Sequence, residues 1–300
     1  LKKRRSEILG GKPGDLEKFA FLKPNIAVVT ATTPEHMENF KTLDAVAKEE
    51  LFISAFAQEV IVNIDLVPKK FIEEYCSGET VVPYGKGSPN TVRADKNEVI
   101  LSVGDSRINS TDFNLIGASG LSTLLAAALV AKRFGMDGMV IKQGLLRIRP
   151  VAGRMSKFVG IHGSTIIDDT YNSSPEAVRT ALDYLREQKA TKKIVLLGMM
   201  NEMGEQSENL HRQVGKWCVP KEIDLLVTLG EDANLYIAEE AEKNGCKVVR
   251  TDSPYEAGKL IARLLSMGVV VLAKGSQNGV YAEDAVKLLL ADPDDAGKLV

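Results

Sequence analysis

Three hundred residues, 44% hydrophobic and 26% charged, make roughly two ordinary globular domains and exclude a disordered or fibrous chain. With 38 basic against 40 acidic residues the net charge is −2, so no global field favours nucleic acid or an anionic membrane. The three cysteines, Cys76, Cys218 and Cys246, have no CxxC spacing, which argues against a disulfide frame or a zinc site and suits a reducing cytoplasm.

No apolar run has the length of a membrane span, and LKKRRSEILGG lacks the apolar core of a signal peptide. The chain does not begin with Met, which is expected of a sequence starting inside a longer protein. KPNIAVVT (23–30) is a strand pattern, and Pro34 opens a helix expected to run through Phe40 and Val46 to about Leu51, with His36 in its first turn. EVIVNI (59–64) is a second strand, 68–76 a short helix and 80–84 a third strand. From 86 to 117 turn residues separate short extended runs, the pattern of antiparallel strands at a sheet edge. LSTLLAAALVAKRF (121–134) is apolar on nearly all sides and reads as a buried helix, followed by another at about 137–146.

The stretch GRMSKFVGIHGSTIIDDTYNSSP (153–175) divides the chain. Two short runs form a hairpin, and the second ends in Asp168 and Asp169, which places carboxylates at a strand's carboxyl end, where open α/β sheets bind ligands. Asp169 could accept two hydrogen bonds from a ribose diol, or the acids are turn residues. Ser173 or Ser174 then caps a helix with Pro175 at its first position. After it, strands at 193–197, 224–229, 247–250 and 269–273 alternate with helices at 205–217, 232–244, 254–266 and 280–290. That alternation predicts a parallel sheet with helical crossovers. Gly198, Gly230 and Gly275 each follow a strand, and no GxGxxG does, so no dinucleotide site is expected.

Four segments in order, GRM (153–155), IIDDTYNSSPEAV (166–178), LLGMMNEMGEQSENLH (196–211) and LAKGSQN (272–278), resemble the bacterial Mur ligases, most of all the MurF-type branch that adds D-alanyl-D-alanine. EILGGKPGDL (7–16) and AVVTATTPEHMENF (27–40) extend the resemblance over nearly the whole chain. It implies an α/β chain with part of a central ATPase-type α/β domain at 1–151 and a Rossmann-like C-terminal domain with a mainly parallel sheet at 152–300. It implies an ATP-dependent ligase of peptidoglycan precursor synthesis, in which a substrate carboxylate takes the γ-phosphate of ATP and an amine displaces phosphate. The substrates would be a UDP-N-acetylmuramoyl peptide and D-Ala-D-Ala, used by a monomeric cytoplasmic protein with no nucleic-acid partner and no membrane insertion.

By the same resemblance, Glu7 and His36 would hold Mg2+, and Arg154 would reach the phosphates of ATP from between the domains. Asp169, Tyr171 and Asn172 would hold the nucleotide, and Lys274, Gly275 and Ser276 the incoming amino acid or dipeptide. His36 as a structural helix-start residue, Arg154 as an interdomain ion pair and Lys274 to Ser276 as simple turn chemistry are the competing readings. Glu202 and His211 fall in the segment that resembles the family's Gly-Asp-Met-x-Glu-x-Gly, as site-closing or packing residues.

The sequence also departs from the family pattern. No Gly-Lys-Thr or Gly-Lys-Ser phosphate loop occurs in these residues, so the chain alone is not expected to turn over ATP efficiently, and an upstream loop would restore the ligase. Glu50 stands where many members carry a carbamylated lysine, and could supply that carboxylate directly to the metal; Lys48 is the alternative register. Ser119, Gly120 and Thr123 replace the family's His and two Asn, which puts adenine contacts in doubt. These departures support two rivals: a ligase with another amino-acid substrate, or a catalytically silent module that binds nucleotide or muropeptide.

Overall fold

The computed structural model describes residues 11–76, 80–95, 98–219 and 222–300, in two compact units. One comprises 11–114 and 121–148, the other 115–120 and 149–300. Among the described residues no helix is long and apolar enough to cross a membrane.

In the first unit β1 (Ile26–Val29), β2 (Glu59–Asn63) and β3 (Thr80–Tyr84) form a parallel sheet in that order. Val29, Val60 and Val62 pack one face of it against Ala47, Leu51 and Phe71. The helix expected from Pro34 to Leu51 is two helices, α1 (Met37–Phe40) and α2 (Leu43–Glu50). The break is local chemistry: Lys41 has φ 64°, and the Thr42 side chain accepts the Ala45 N–H at 3.2 Å, capping α2. A helix start signal inside an apolar pattern outweighed the pattern's continuity. α3 (Lys69–Tyr75) follows β2.

β4 (Thr91–Asp95), β5 (Glu98–Val103) and β6 (Ser106–Ser110) are antiparallel as expected, but they make a separate three-stranded sheet instead of the edge of the parallel one. α4 (Gly117–Arg133) buries Leu124, Leu125, Ala128 and Leu129, and α5 (Gly138–Leu146) is capped by Asp137 through the Met139 and Val140 N–H groups.

The second unit is a six-stranded sheet of β7 (Ser156–Val159), β8 (Thr165–Asp169), β9 (Lys192–Gly198), β10 (Leu225–Leu229), β11 (Val248–Thr251) and β12 (Val269–Lys274). Its spatial order is β11-β10-β9-β12-β8-β7, all neighbours parallel except the β7–β8 pair. α6 (Pro175–Glu187), α7 (Ser207–Trp217) and α8 (Ala238–Lys243) cover the face of Ile167, Val195, Leu197 and Leu272. α9 (Pro254–Ala262) and α10 (Ala282–Lys287) cover the face of Ile166, Leu196, Val271 and Ala273. Burial on both faces explains why these strands are continuous apolar runs without alternation. The expected caps of α6 are corrected in one respect: Ser174 occupies the cap position with no side-chain cap hydrogen bond.

The chain leaves β8, places β9 two positions away and returns only after β11 to insert β12 between them. Such a reversal opens a crevice at the carboxyl ends of the strands. Asp169, Lys274 and Gly198 end β8, β12 and β9 there.

Candidate functional site

Asp169 and Lys274 are register partners on adjacent parallel strands, so their side chains leave the same face. Lys274 Nζ lies 2.7 Å from Asp169 Oδ2 and donates to the Asn172 carbonyl at 2.9 Å. Asp169 Oδ1 accepts the Met155 N–H at 3.1 Å. Lys274 is 1% and Asp169 7% exposed. Both carboxylates at the carboxyl end of β8 are buried, because the start of β7, with Ser156 level with Asp168, and the segment before it cover the end of β8.

That covering is fixed by glycine. Gly153 has φ 64°, and a Cβ there would fall 2.7 Å from the Tyr171 nitrogen and 2.4 Å from Val300 Cγ2. The Tyr171 N–H donates to Gly153 O at 3.1 Å, and the Arg154 guanidinium lies 4.4 Å from the centroid of the Tyr171 ring. Arg154 and Tyr171 are exposed, so this pair presents a cation on an aromatic platform beside the buried Asp169–Lys274 bridge.

The loop after β12 meets the loop after β9 closely. Gly275 Cα is 3.1 Å from where a Cβ of Gly198 would be. Ser276 is buried; its N–H donates to Met199 O at 3.3 Å and its Oγ accepts the Asn201 N–H at 3.0 Å. Arg154 thus contacts Tyr171, and Lys274 contacts Asp169 and Asn172, while Gly275 and Ser276 continue from Lys274 to meet the 199–201 loop. Glu202 (φ 64°) is exposed in that loop, and His162 (φ 57°) is exposed in the β7–β8 turn.

Asp168 points to the opposite face. Its Oδ1 accepts from Thr170 Oγ1 at 2.6 Å, while its Oδ2 has no partner. Burial raises its pKa; burial also raises that of Glu283 on α10, which feels the Asp168 charge and likewise has an unpartnered oxygen, Oε2. The sequence singled out Asp168 and missed Glu283, since nothing in a helical AEDAVK marks it as facing another acid.

In the first unit, Glu7 lies outside the described residues. His36 stands at the N-terminal cap position of α1 with φ 53° and no side-chain cap hydrogen bond, and Glu50 ends α2, half-buried. Burial and then the Glu35 charge push the Glu50 carboxyl up to about 7, with His36 acting in the opposite direction. His36 and Glu50 are therefore electrostatic neighbours. Among the described residues no three His, Cys, Asp or Glu side chains are grouped to hold a metal ion. Glu49, which sequence reasoning passed over, is structural: its carboxylate accepts the Gly14 and Leu16 N–H groups at 2.8 and 2.7 Å.

Residues 153–277 match the family described as "Mur ligase, glutamate ligase domain", and residues 10–131 match "Mur ligase middle domain". The chain belongs to the Mur ligase family. Similar curated Mur ligases include the UDP-N-acetylmuramoyl-tripeptide–D-alanyl-D-alanine ligases of Bacillus subtilis, 26% identical over 93% of this chain and 62% of that protein, and of Haemophilus influenzae, 26% identical over 88% and 59%. The chain thus spans about three-fifths of the length of these curated relatives. In fold it is similar to the MurF ligase of Thermotoga maritima solved in complex with ADP, with a TM-score of 0.79 at 21% identity over 93% of this chain and 64% of that one. Two Mur ligase domains in this order agree with the α/β architecture and with the family resemblance of the sequence.

Proposed function

We propose that this chain supplies the middle and C-terminal domains, divided near 151/152, of a cytoplasmic ATP-dependent ligase that joins D-alanyl-D-alanine to a UDP-N-acetylmuramoyl peptide. The observation that carries the reading is the Arg154–Tyr171 pair beside the buried Asp169–Lys274 bridge, at the carboxyl ends of β8 and β12, in the segments matched by the glutamate ligase domain. The names and ADP complex of the relatives supply the substrate class.

In this reading the substrate carboxylate attacks the γ-phosphorus of ATP, ADP leaves, and the amine of the dipeptide displaces inorganic phosphate from the acyl phosphate. Arg154, held over Tyr171, offers charge-assisted hydrogen bonds to phosphate oxygens. Asp169 retains unused lone pairs for ribose hydroxyls while Met155 N–H and Lys274 fix its plane. Lys274, with no solvent access, acts by holding Asp169 and the Asn172 carbonyl in place, and Gly275 and Ser276 shape the loop for the incoming dipeptide.

His36 and Glu50, with Glu7, would hold Mg2+. A carboxyl kept partly protonated by burial and by Glu35 is suited to ionise on a hard cation. The bound ion would neutralise charge on the transferring phosphate.

The test is phosphate release by this chain with Mg2+, ATP, UDP-muramoyl-tripeptide and D-Ala-D-Ala, with each substrate omitted in turn. Release that requires both the muramoyl peptide and the dipeptide supports the reading. Because these residues contain no Gly-Lys-Thr or Gly-Lys-Ser loop, absence of release in every mixture returns either a ligase that needs an upstream phosphate loop or a non-catalytic binding module, and the same assay with such a loop supplied separates the two.

A further inference from the structure

His211 lies on α7 with no exposed surface, and each of its ring nitrogens has a main-chain partner. Nε2 accepts the Met200 N–H at 2.8 Å. An amide N–H only donates, so Nε2 carries no proton and the ring's hydrogen is on Nδ1, which donates to the Ser207 carbonyl at 2.8 Å. Ser207 Oγ lies 3.1 Å from Nδ1 and donates to Asp232 Oδ2. The imidazole is thus one fixed tautomer, clamped between its own helix and the loop that follows β9.

Met200 is flanked by the two residues that tie this loop to the one after β12. Met199 O accepts the Ser276 N–H at 3.3 Å, and the Asn201 N–H donates to Ser276 Oγ at 3.0 Å. Asn201 Nδ2 also donates to Asn278 O at 2.5 Å. The Met199 N–H holds this loop to Leu229 O at 3.1 Å, and the Met200 amide is the second point at which the bridge between the two loops is anchored to the body of the unit.

We propose that His211 is a positioning residue: its neutral imidazole pins Met200 and thereby lays residues 199–201 against Ser276, and protonation of Nε2 removes the acceptor and releases both loops together. The functional meaning rests on the assignment of Lys274, Gly275 and Ser276 to the site of the incoming dipeptide, but the device itself does not. Burial lowers the His211 pKa below its ordinary 6.5, whereas the Ser207 carbonyl and the Asp232 charge act the other way. The pin therefore holds at neutral pH and opens in acid.

The experiment is amide hydrogen exchange on the isotopically labelled chain from about pH 8 down to about pH 4, with rates corrected for the intrinsic pH dependence of exchange. Wild type should lose protection at Met200 and Asn201 together, by ~10-fold or more, as pH falls through the range below 6.5, while amides in the middle of β9 stay protected. His211→Gln places an amide oxygen near the position of Nε2 and does not titrate, so both amides should stay protected across the range; His211→Leu should expose them throughout. A flat wild-type profile overturns the proposal, as does parallel acid loss in the Gln variant or loss at Met200 with Asn201 unaffected. Should the Leu variant not fold, the wild-type and Gln profiles still decide. None of these outcomes depends on ligase activity, so failure here and failure of the phosphate-release test are separable.

Discussion

Replacing Lys274 by Met tests the bridge on which the candidate site is built. Lys274→Met keeps most of the side-chain volume in a position that is 1% exposed but removes the cation 2.7 Å from Asp169 Oδ2 and the donor 2.9 Å from Asn172 O. Asp169 is then left charged at 7% exposure with one remaining bond, from the Met155 N–H. Removing one partner of a buried ion pair costs ~3–5 kcal/mol, because the other charge is stranded. Retention of the Met155 bond places the expected cost near ~3 kcal/mol. For a unit of this size that lowers the melting temperature by roughly 6–12 °C.

The assay is urea unfolding followed by the fluorescence of Trp217, the only tryptophan in the sequence, which sits on α7 inside the same unit. Asp169→Asn in the Lys274→Met background removes the stranded charge and keeps an oxygen for the Met155 N–H. The double variant should therefore recover about half of the loss or more, a coupling of ~1.5 kcal/mol or greater. A single-variant cost below ~1 kcal/mol, or strictly additive effects, would refute the claim that the two residues act as one buried unit.

Gly198→Ala should destabilise the second unit by ~1–3 kcal/mol in the same assay, since its Cβ would lie 2.5 Å from Val280 Cγ1 and 3.1 Å from Gly275 Cα. Adding Val280→Ala should restore only part of it, because the Gly275 backbone cannot move aside. Glu283→Gln should flatten the pH dependence of stability: with the Asp168 and Glu283 pKa values both raised, mainly by burial, the folded state holds protons that the unfolded chain has released, so stability falls as pH rises above the ordinary carboxylate range. Asp169, Asp284 and Lys287 also bear on this pair. Melting temperatures at pH 5 and 8 check it; an equal slope in wild type and variant sinks the reasoning.

Strand and helix identities in the second unit were legible because both faces of its sheet are buried, so Ile, Val and Leu runs of strand length alternate with amphipathic helices regardless of partners. The motif around Asp168 and Asp169 was legible as a strand end leading through Asn172 to a Pro-initiated helix. The break between α1 and α2 was less so, since Thr42 is a cap only if the chain turns at Lys41.

Local periodicity therefore determined the elements and the carboxyl-end location of the candidate site, and the resemblance of the quoted segments carried the family. Which side chains meet there depended on sheet order and register. Lys274 and Asp169 are 105 residues apart and become partners because β12 is inserted beside β8 with its last residue level with Asp169. The same pleat turns Asp168 to the other face, towards Glu283, and the same packing turns His211 from a helix-face residue into the acceptor for Met200. The first two pairings join groups distant in the chain and the third joins a loop to the helix that follows it; none has a local sequence signature, so only the assembled sheet could decide them.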